Sequence, residues 1–220
     1  MSMTADGKIA TGNRAVTSFG SRRDHDHLLE LRATADAVMA GARTVDSADI
    51  NLGPGGAKYR RQRLKRGLAE YNLRIIVTGS GSLGSDAHVF KHRFSPIIIL
   101  TTKRVSPTAL RRLRSLADVV KICGRQEINL RSALRWLKKK WRVNRLLCEG
   151  GGDLNDALFR AGLVDEIHLT ICPKLFAGRD APTIAEGRGF PSLPQAAQFE
   201  FKSIKQIGNE LFVVLNRQPG

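Results

Sequence analysis

The 220-residue sequence predicts an α/β fold built on a mostly parallel sheet with an antiparallel edge at its C-terminal end. Short, near-continuous apolar runs recur along the chain, and patterns with helical spacing lie between them. Near the end the character changes: two strand-like runs follow one another closely enough to pair antiparallel.

The first apolar run is Ala37-Val38-Met39-Ala40. Arg74-Ile75-Ile76-Val77-Thr78 and Pro96-Ile97-Ile98-Ile99-Leu100-Thr101 follow, both rich in β-branched residues, then Val119-Val120-Lys121-Ile122 and Arg145-Leu146-Leu147-Cys148. Such runs suit strands covered on both faces of a parallel sheet. A helix is predicted from Ser21, where Asp24 three residues on completes a capping signal and Leu28, Leu29 and Leu31 follow. Further helical patterns cover residues 107–117, 129–141 and 153–162, with Gly162 as a C-terminal stop. Glu166–Cys172, Phe199–Ile204 and Leu211–Leu215 read as strands. No repeat, low-complexity tract or linker divides the sequence, so residues 1–220 are expected to form a single domain.

Hydrophobic residues make up 42% of the chain, which argues for a globular fold rather than disorder. No run of about 18 apolar residues occurs, so no membrane span is expected. No basic-then-apolar leader opens the chain, so secretion is not expected either. Cys123, Cys148 and Cys172 lie in or beside strand-like runs without a C-x-x-C pair. Buried, reduced thiols in a cytoplasmic protein are the economical reading. The net charge of +16 points to an anionic partner, either nucleic acid or a small phosphorylated ligand. Its densest patches, residues 58–66 and 138–142, read as helices with solvated basic faces. Aromatic residues are only 6%, and no strand interleaves them as a platform for base stacking.

The most informative local pattern is Leu146-Leu147-Cys148-Glu149-Gly150-Gly151-Gly152-Asp153-Leu154-Asn155-Asp156-Ala157-Leu158. An apolar strand ends in a carboxylate, three glycines follow, and a helix begins. Glycines allow positive φ and close approach of a ligand, and a helix start presents free N–H groups and a positive dipole end to a phosphate. The same triplet also suits a tight strand-to-helix turn. It is not the G-x-G-x-x-G of dinucleotide-binding folds.

Five further blocks accompany it in order around the chain: Asp6-Gly7-Lys8-Ile9-Ala10, Leu31-Arg32, residues 35–45, Ala161-Gly162-Leu163-Val164-Asp165-Glu166, and Pro173-Lys174-Leu175-Phe176-Ala177-Gly178. Together they resemble the reductase of riboflavin biosynthesis, the partner domain of the pyrimidine deaminase in the bifunctional deaminase–reductase, over nearly the whole chain. The resemblance implies a dihydrofolate-reductase-like, three-layer α/β/α fold. It implies that NADPH reduces the ribosyl group of 5-amino-6-(5-phosphoribosylamino)uracil to ribityl in riboflavin biosynthesis. The alternatives are the undeaminated 2,5-diamino-6-ribosylamino-pyrimidinone 5′-phosphate, a dihydrofolate or pterin substrate, and, in a different class, a basic nucleic-acid-binding domain. A homodimer is implied because family members commonly pair. The H-x-E and P-C-x-x-C pattern of zinc deaminases does not occur in the sequence, so the reductase step alone is expected.

The implied chemistry opens the sugar to an imine-like form and adds hydride at C1′, which asks for positioning, exclusion of water and one proton donor. The resemblance assigns substrate binding to Glu149, whose alternative role is as a carboxylate at a helix start. Gly150, Gly151, Gly152, Asp153 and Leu154 align with the cofactor-binding turn. Lys8 is the candidate proton donor or electrostatic partner of the ribose, against a surface lysine in a turn. Arg32 matches a substrate-binding arginine, suited to bidentate phosphate recognition. Thr44 matches a cofactor-contacting threonine, Ser80 a serine after the third strand, and Thr102 belongs to a hydroxyl–cation cluster suited to the 2′-phosphate of NADPH. Met3 falls where the first strand would touch the cofactor, although only Met1–Ala5 precede the Asp-Gly-Lys block.

The family's T-V-x-x-D-D-P pattern is altered here. Thr44-Val45-Asp46-Ser47-Ala48-Asp49-Ile50 keeps only the second aspartate in register, and Ala48 stands where a cofactor-contacting aspartate belongs. Asp46 or Asp49 would compensate; Asp49 is grouped with Lys8 as a catalytic candidate, with a loop cap as its other reading. Leu52 matches a substrate-pocket position, while the family arginine three residues on falls on Gly55; Lys58, Arg60 or Arg61 would then supply that contact, with Arg60 taken as the candidate. His25 and His27 sit two apart on a predicted helix and face different ways, so no metal site is expected there. Trp136 and Trp141 read as helix packing.

Overall fold

The computed structural model describes residues 1–14, 18–47 and 49–218. In chain order its elements are β1 (Ser2–Thr4), α1 (Arg22–Arg32), β2 (Ala37–Gly41), α2 (Ala42–Ser47), α3 (Ala57–Lys65), β3 (Leu73–Val77), α4 (His88–Lys91) and β4 (Ile97–Thr101). Then come α5 (Pro107–Leu116), β5 (Val119–Ile122), α6 (Leu130–Trp141), β6 (Leu146–Cys148), α7 (Gly152–Arg160), β7 (Glu166–Cys172), β8 (Phe199–Ile207) and β9 (Glu210–Arg217). The chain divides into two compact units, Leu28–Glu149 and Met1–His27 with Gly150–Gly220.

In the unit Leu28–Glu149, five strands form an all-parallel sheet in the order β5-β4-β3-β2-β6. Each parallel step needs a crossover, which is why helical segments separate these strands in sequence. The strands are apolar because both faces are covered: all of β4 is buried. Val38, Ile76, Ile97, Ile99 and Leu113 meet in the core beneath α5. That helix starts where the Ser106 hydroxyl accepts the Ala109 N–H at 3.2 Å and Pro107 takes the first position. The Asn129 side chain caps α6 by accepting the Ser132 N–H at 2.9 Å, and Arg142 ends it in the left-handed region.

The basic segments behave differently from one another. Lys138, Lys139 and Lys140 are exposed on α6, as expected. On α3 the expected solvated face is interrupted: Arg63 is buried. Its guanidinium donates to the carbonyls of Arg32 (2.8 Å), Ala35 (2.5 Å) and Ala69 (2.9 Å), closing backbone acceptors at the end of α1. Burial lowers its pKa from the ordinary arginine value. Arg74 is a second buried guanidinium, bonded to the Val89 and Ser95 carbonyls and lying 4.2 Å from the Phe94 ring centre. Burial brings its pKa down to about 10, which leaves it charged at neutral pH.

In the other unit, four strands run in the order β1-β7-β9-β8. β1 is parallel to β7, with Met3 opposite Ile171, while β9 pairs antiparallel with both β7 and β8. The antiparallel end of the fold is therefore as the sequence predicts, with the short first strand paired beside it. Gly208, at φ +61, lets the chain reverse between β8 and β9. α7 stops before Gly162 at φ +64, the glycine predicted to end it. Ser21 caps α1 by accepting the Asp24 N–H at 3.2 Å. The buried Glu210 carboxylate adds a second clamp, taking the Ser21 N–H at 2.7 Å and hydroxyl at 2.6 Å.

Cys123 and Cys172 are buried free thiols, but Cys148 is only half-buried because three-residue β6 ends there at the margin of its sheet. Burial pushes the Cys172 thiol up to about 11, with the nearby Glu210 carboxylate adding to the effect. Among the described residues, no helix is long and apolar enough to cross a membrane.

Arg63 offers a direct test of the buried-guanidinium reading. Replacing Arg63 with Met removes three hydrogen bonds to carbonyls, two of them buried, and we expect it to lower the unfolding free energy by about 3 kcal/mol in a urea titration. Arg61→Met, on the exposed side of the same helix, should change it by less than about 0.5 kcal/mol.

Candidate functional site

The glycine turn is built as its sequence suggests. Gly150 and Gly151 lie at φ +83 and +70, conformations that residues with a Cβ avoid. Gly152 opens α7, and the Asn155 N–H returns to the Gly151 carbonyl at 3.0 Å. Asp153 is exposed, while the Leu154 side chain is buried, so at that position the backbone is what can face a ligand. A nine-residue helix without a side-chain cap begins here. Its first N–H groups and dipole suit an anion such as a pyrophosphate.

The glycines also answer a packing constraint. A Cβ on Gly150 would stand 3.0 Å from Asn155 Nδ2 and 3.2 Å from Met1 Sδ; one on Gly152 would stand 2.7 Å from Glu186 Cγ. Residues 184–189 lie along the first turns of α7. The Asn155 amide donates to the Ile184 carbonyl at 2.7 Å, the Glu186 N–H to the Gly152 carbonyl at 2.9 Å, and the Gly189 N–H to Asp156 Oδ1 at 3.0 Å. Sequence reading missed this strap. Its one signal was Gly187, where a Cβ would meet Asp156 Oδ2 at 2.5 Å.

Lys8 lies in a turn gathered around two side chains. The Thr4 hydroxyl accepts the Lys8 N–H at 2.9 Å and donates to Asp6 Oδ1 at 2.5 Å. The other Asp6 oxygen takes the N–H of Ala177 at 2.8 Å, a non-glycine residue held at φ +54. Lys8 Nζ donates to the Ala181 carbonyl at 2.9 Å. The Asp-Gly-Lys and Pro-Lys-Leu-Phe-Ala-Gly blocks, far apart in sequence, thus form one structure. The Thr4 hydrogen bond, with those from the Ala177 and Phe176 amides, holds the Asp6 carboxyl below its ordinary 3.8.

Arg32 and Glu149, each expected to bind substrate, are found bound to each other. Arg32 Nε and Nη2 meet the two Glu149 oxygens, both at 2.6 Å, while Nη1 donates to the Gly53 carbonyl at 2.7 Å. Their side chains are only 8% and 10% exposed. The Glu149 N–H is fixed in turn by the Met39 carbonyl at 2.8 Å. The carboxylate is thereby locked in orientation, with each oxygen keeping a lone pair for one further donor.

The remaining candidates each have their own surroundings. Met3 is partly exposed on β1 and Thr44 partly exposed on α2. Asp49 is exposed and 3.0 Å from His88 Nδ1, while Ala48 lies outside the described residues. Leu52, at φ +56, is fully buried in the apolar core, so only its backbone could meet a ligand. Arg60 reaches Glu70 at 3.1 Å and the Tyr71 hydroxyl. Ser80 is exposed; the Thr102 hydroxyl is engaged by two segments, donating to the Gly79 carbonyl after β3 at 2.7 Å and accepting the Arg104 N–H of its own turn at 3.1 Å. His25 is exposed, whereas the His27 ring packs against His168 and Phe212.

Parallel strands joined by helices, an antiparallel C-terminal hairpin and a glycine turn at a helix start define an α/β protein of dihydrofolate-reductase-like architecture. Residues 1–213 match the RibD C-terminal domain, and the chain belongs to that family. It is 30% identical over 211 residues to the 2,5-diamino-6-ribosylamino-4(3H)-pyrimidinone 5′-phosphate reductase of Methanothermobacter thermautotrophicus, covering 96% of this chain and 93% of that one. The protein of the same name from Archaeoglobus fulgidus is 31% identical over 186 residues, 84% of this chain and 83% of its own. A solved pyrimidine reductase-like protein from Corynebacterium diphtheriae superposes with a TM-score of 0.80 over 100% of this chain and 90% of that one. Its 18% identity makes it a likeness of fold.

Two measurements probe these contacts. Arg32→Met leaves the Glu149 carboxylate buried without its partner, and thermal or urea unfolding should show a loss of about 3 kcal/mol; adding Glu149→Gln should recover part of it. Asp6 is held below 3.8, so its tether to Ala177 is in force above that pH and is lost as pH falls through the lowered value. The protection factor of the Ala177 amide, its exchange rate compared with that of a free amide at the same pH, should therefore fall on acidification, and in Asp6→Asn it should be low throughout.

Proposed function

We propose that this chain is an NADPH-dependent reductase that converts the ribosyl group of a phosphorylated ribosylamino-pyrimidine to ribityl. The observation that carries this reading is the family match across residues 1–213, joined by 30% identity to a named pyrimidinone phosphate reductase over most of both chains. We read residues 1–220 as one reductase domain that acts as a homodimer in the cytoplasm. The resemblance in sequence places the deaminated uracil first. Two relatives matched over 93% and 83% of their own lengths carry the name of the undeaminated diamino compound, which favours that pyrimidine as the substrate.

The residues fit a nicotinamide dinucleotide in one respect that the geometry supports: two successive glycines at positive φ lead into a nine-residue helix, a backbone arrangement suited to a pyrophosphate. Gly150, Gly151, Gly152, Asp153 and Leu154 would hold it there, and Met3, Thr44 and Ser80 remain candidates for further contacts. When bound, NADPH supplies the hydride that reduces the opened sugar at C1′. Thr102 would contribute through its backbone, since its hydroxyl is engaged by the Gly79 carbonyl and the Arg104 N–H.

Substrate binding falls to Glu149, whose oriented oxygens can accept amino or ring N–H donors of a pyrimidine. Arg32 then acts by holding that carboxylate in place. Arg60, with Leu52 through its backbone, remains a candidate for the phosphate side. Lys8 is the proton donor or electrostatic partner at the ribose, steadied by the Ala181 carbonyl. Asp49, exposed beside His88, is the second catalytic candidate. The net charge of +16 would draw a phosphorylated substrate and cofactor toward the protein.

NADPH oxidation measured with each pyrimidine tests the proposal. Turnover should be faster with the diamino compound than with its deaminated counterpart; activity with neither, but with dihydrofolate, would overturn it. Lys8→Met should lower kcat about 100-fold while leaving the KM for NADPH unchanged.

A further inference from the structure

The positive charge of the chain is unevenly placed. Residues 107–145, from the start of α5 to the residue before β6, hold 12 of the 36 Lys and Arg but only 2 of the 20 Asp and Glu, and so carry +10 of the net +16. Arg111 and Arg114 on α5, and Arg135, Lys138 and Lys139 on α6, are all exposed. Two neighbouring residues of β5 show how these helices sit. Val120 packs against the core cluster that contains Leu113 of α5. Lys121 points to the other face of the sheet, where its Nζ lies 5.4 Å from the centre of the Trp136 ring of α6. The two helices therefore cover opposite faces beside β5, the outer strand in the order β5-β4-β3-β2-β6. Positive charge thus runs from one face of the sheet, round that edge, to the other. β6, followed by Glu149, is the opposite outer strand, four strand spacings or about 19 Å away. Most of the excess charge is gathered at the edge remote from the residue assigned to the pyrimidine.

We propose that this basic edge binds the phosphate backbone of a nucleic-acid duplex without reading its sequence, a property additional to the reductase activity. Charge complementarity carries the assignment: many cations held on one rigid edge release counterions from a polyanion. A single strand is a poorer fit, because it asks for open rings on which bases stack, and Trp136 and Trp141 are both half-buried. A lipid surface is a poorer fit too. Helices that lie on membranes place an apolar face among the acyl chains, whereas Leu113 of α5 and Ala133 and Leu137 of α6 are buried within the protein. Between residues 107 and 145, Ile122 is the only large apolar side chain in the open, at 39% exposure.

Fluorescence anisotropy of a labelled DNA duplex of about 20 base pairs, with the full chain in about 150 mM KCl, tests the proposal. The parent protein should bind with a Kd of about 10 µM. The triple variant Arg135→Gln, Lys138→Gln, Lys139→Gln should weaken binding at least about tenfold and reduce the slope of log Kd against log salt by about 3. Arg111→Gln with Arg114→Gln, across β5, should weaken it at least about fivefold. Lys65→Gln, Arg66→Gln and Lys91→Gln together remove as much charge as the triple from other exposed positions, and should change Kd less than about twofold. Melting temperatures should match the parent's, since all these side chains are exposed; if one set lowers it, the other set decides. Saturating NADPH should leave duplex binding unchanged. A parent Kd above about 100 µM, an equal loss in the Lys65, Arg66 and Lys91 variant, or displacement by NADPH overturns the proposal. So does tighter binding to phosphatidylserine vesicles than to the duplex, which assigns the edge to a lipid surface.

Discussion

Arg32 is the residue through which the polar groups around the end of β6 are organised. Its backbone carbonyl is held by Arg63 and its guanidinium holds Glu149 and Gly53. One chain of hydrogen bonds therefore joins α3, the end of α1, the loop at Gly53 and the residue that follows β6. Taking two guanidinium groups out of water is costly, and it is offset only because every buried partner is an acceptor with good geometry. The consequence for function is orientation. A carboxylate gripped at both oxygens cannot swing, and a ligand that meets Glu149 meets it in a fixed pose.

The glycine turn that follows in sequence shows why a ligand argument and a packing argument need not compete. Gly150 and Gly151 take backbone angles open to glycine, which frees the start of α7 to face an anion. Gly150 and Gly152 also leave room for Asn155, Met1 and the strap at Glu186. A side chain at either position would disturb both the approach to the helix start and the segment that lies along it. The Lys8 turn follows a similar principle: Asp6 ties it to a loop that contains Ala177 at positive φ, and so two distant sequence blocks become one local structure.

Much of the fold is legible in the sequence because it obeys short-range rules. The strands at 73–77 and 97–101 announce themselves by β-branched apolar runs, and α1 by Ser21 with Asp24. The glycine turn is legible for the same reason, since positive φ is a local demand. Arg63 is not: it stands in a run with the exposed cations Arg61, Lys65 and Arg66, and nothing local reveals three carbonyls converging on it. The strap along α7 leaves only Gly187 as a sign in the sequence, because its contacts, such as Gly152 with Glu186, join residues far apart along the chain.

By itself the sequence determined the α/β class, the order of the main strands and longer helices, the position of the glycine turn and the family blocks; the short helices α2 and α4 were not read from it. These are set by side-chain periodicity, capping and backbone permissiveness, all of which act within a few residues. Tertiary structure alone decided which polar groups face one another. Arg32 was found on Glu149, and the Leu52 side chain lies in the core. It also decided that Glu210 clamps Ser21, a contact between residues 189 positions apart. Such pairings follow from desolvation: a buried charge takes the partner that folding brings within reach, and that reach is a property of three dimensions.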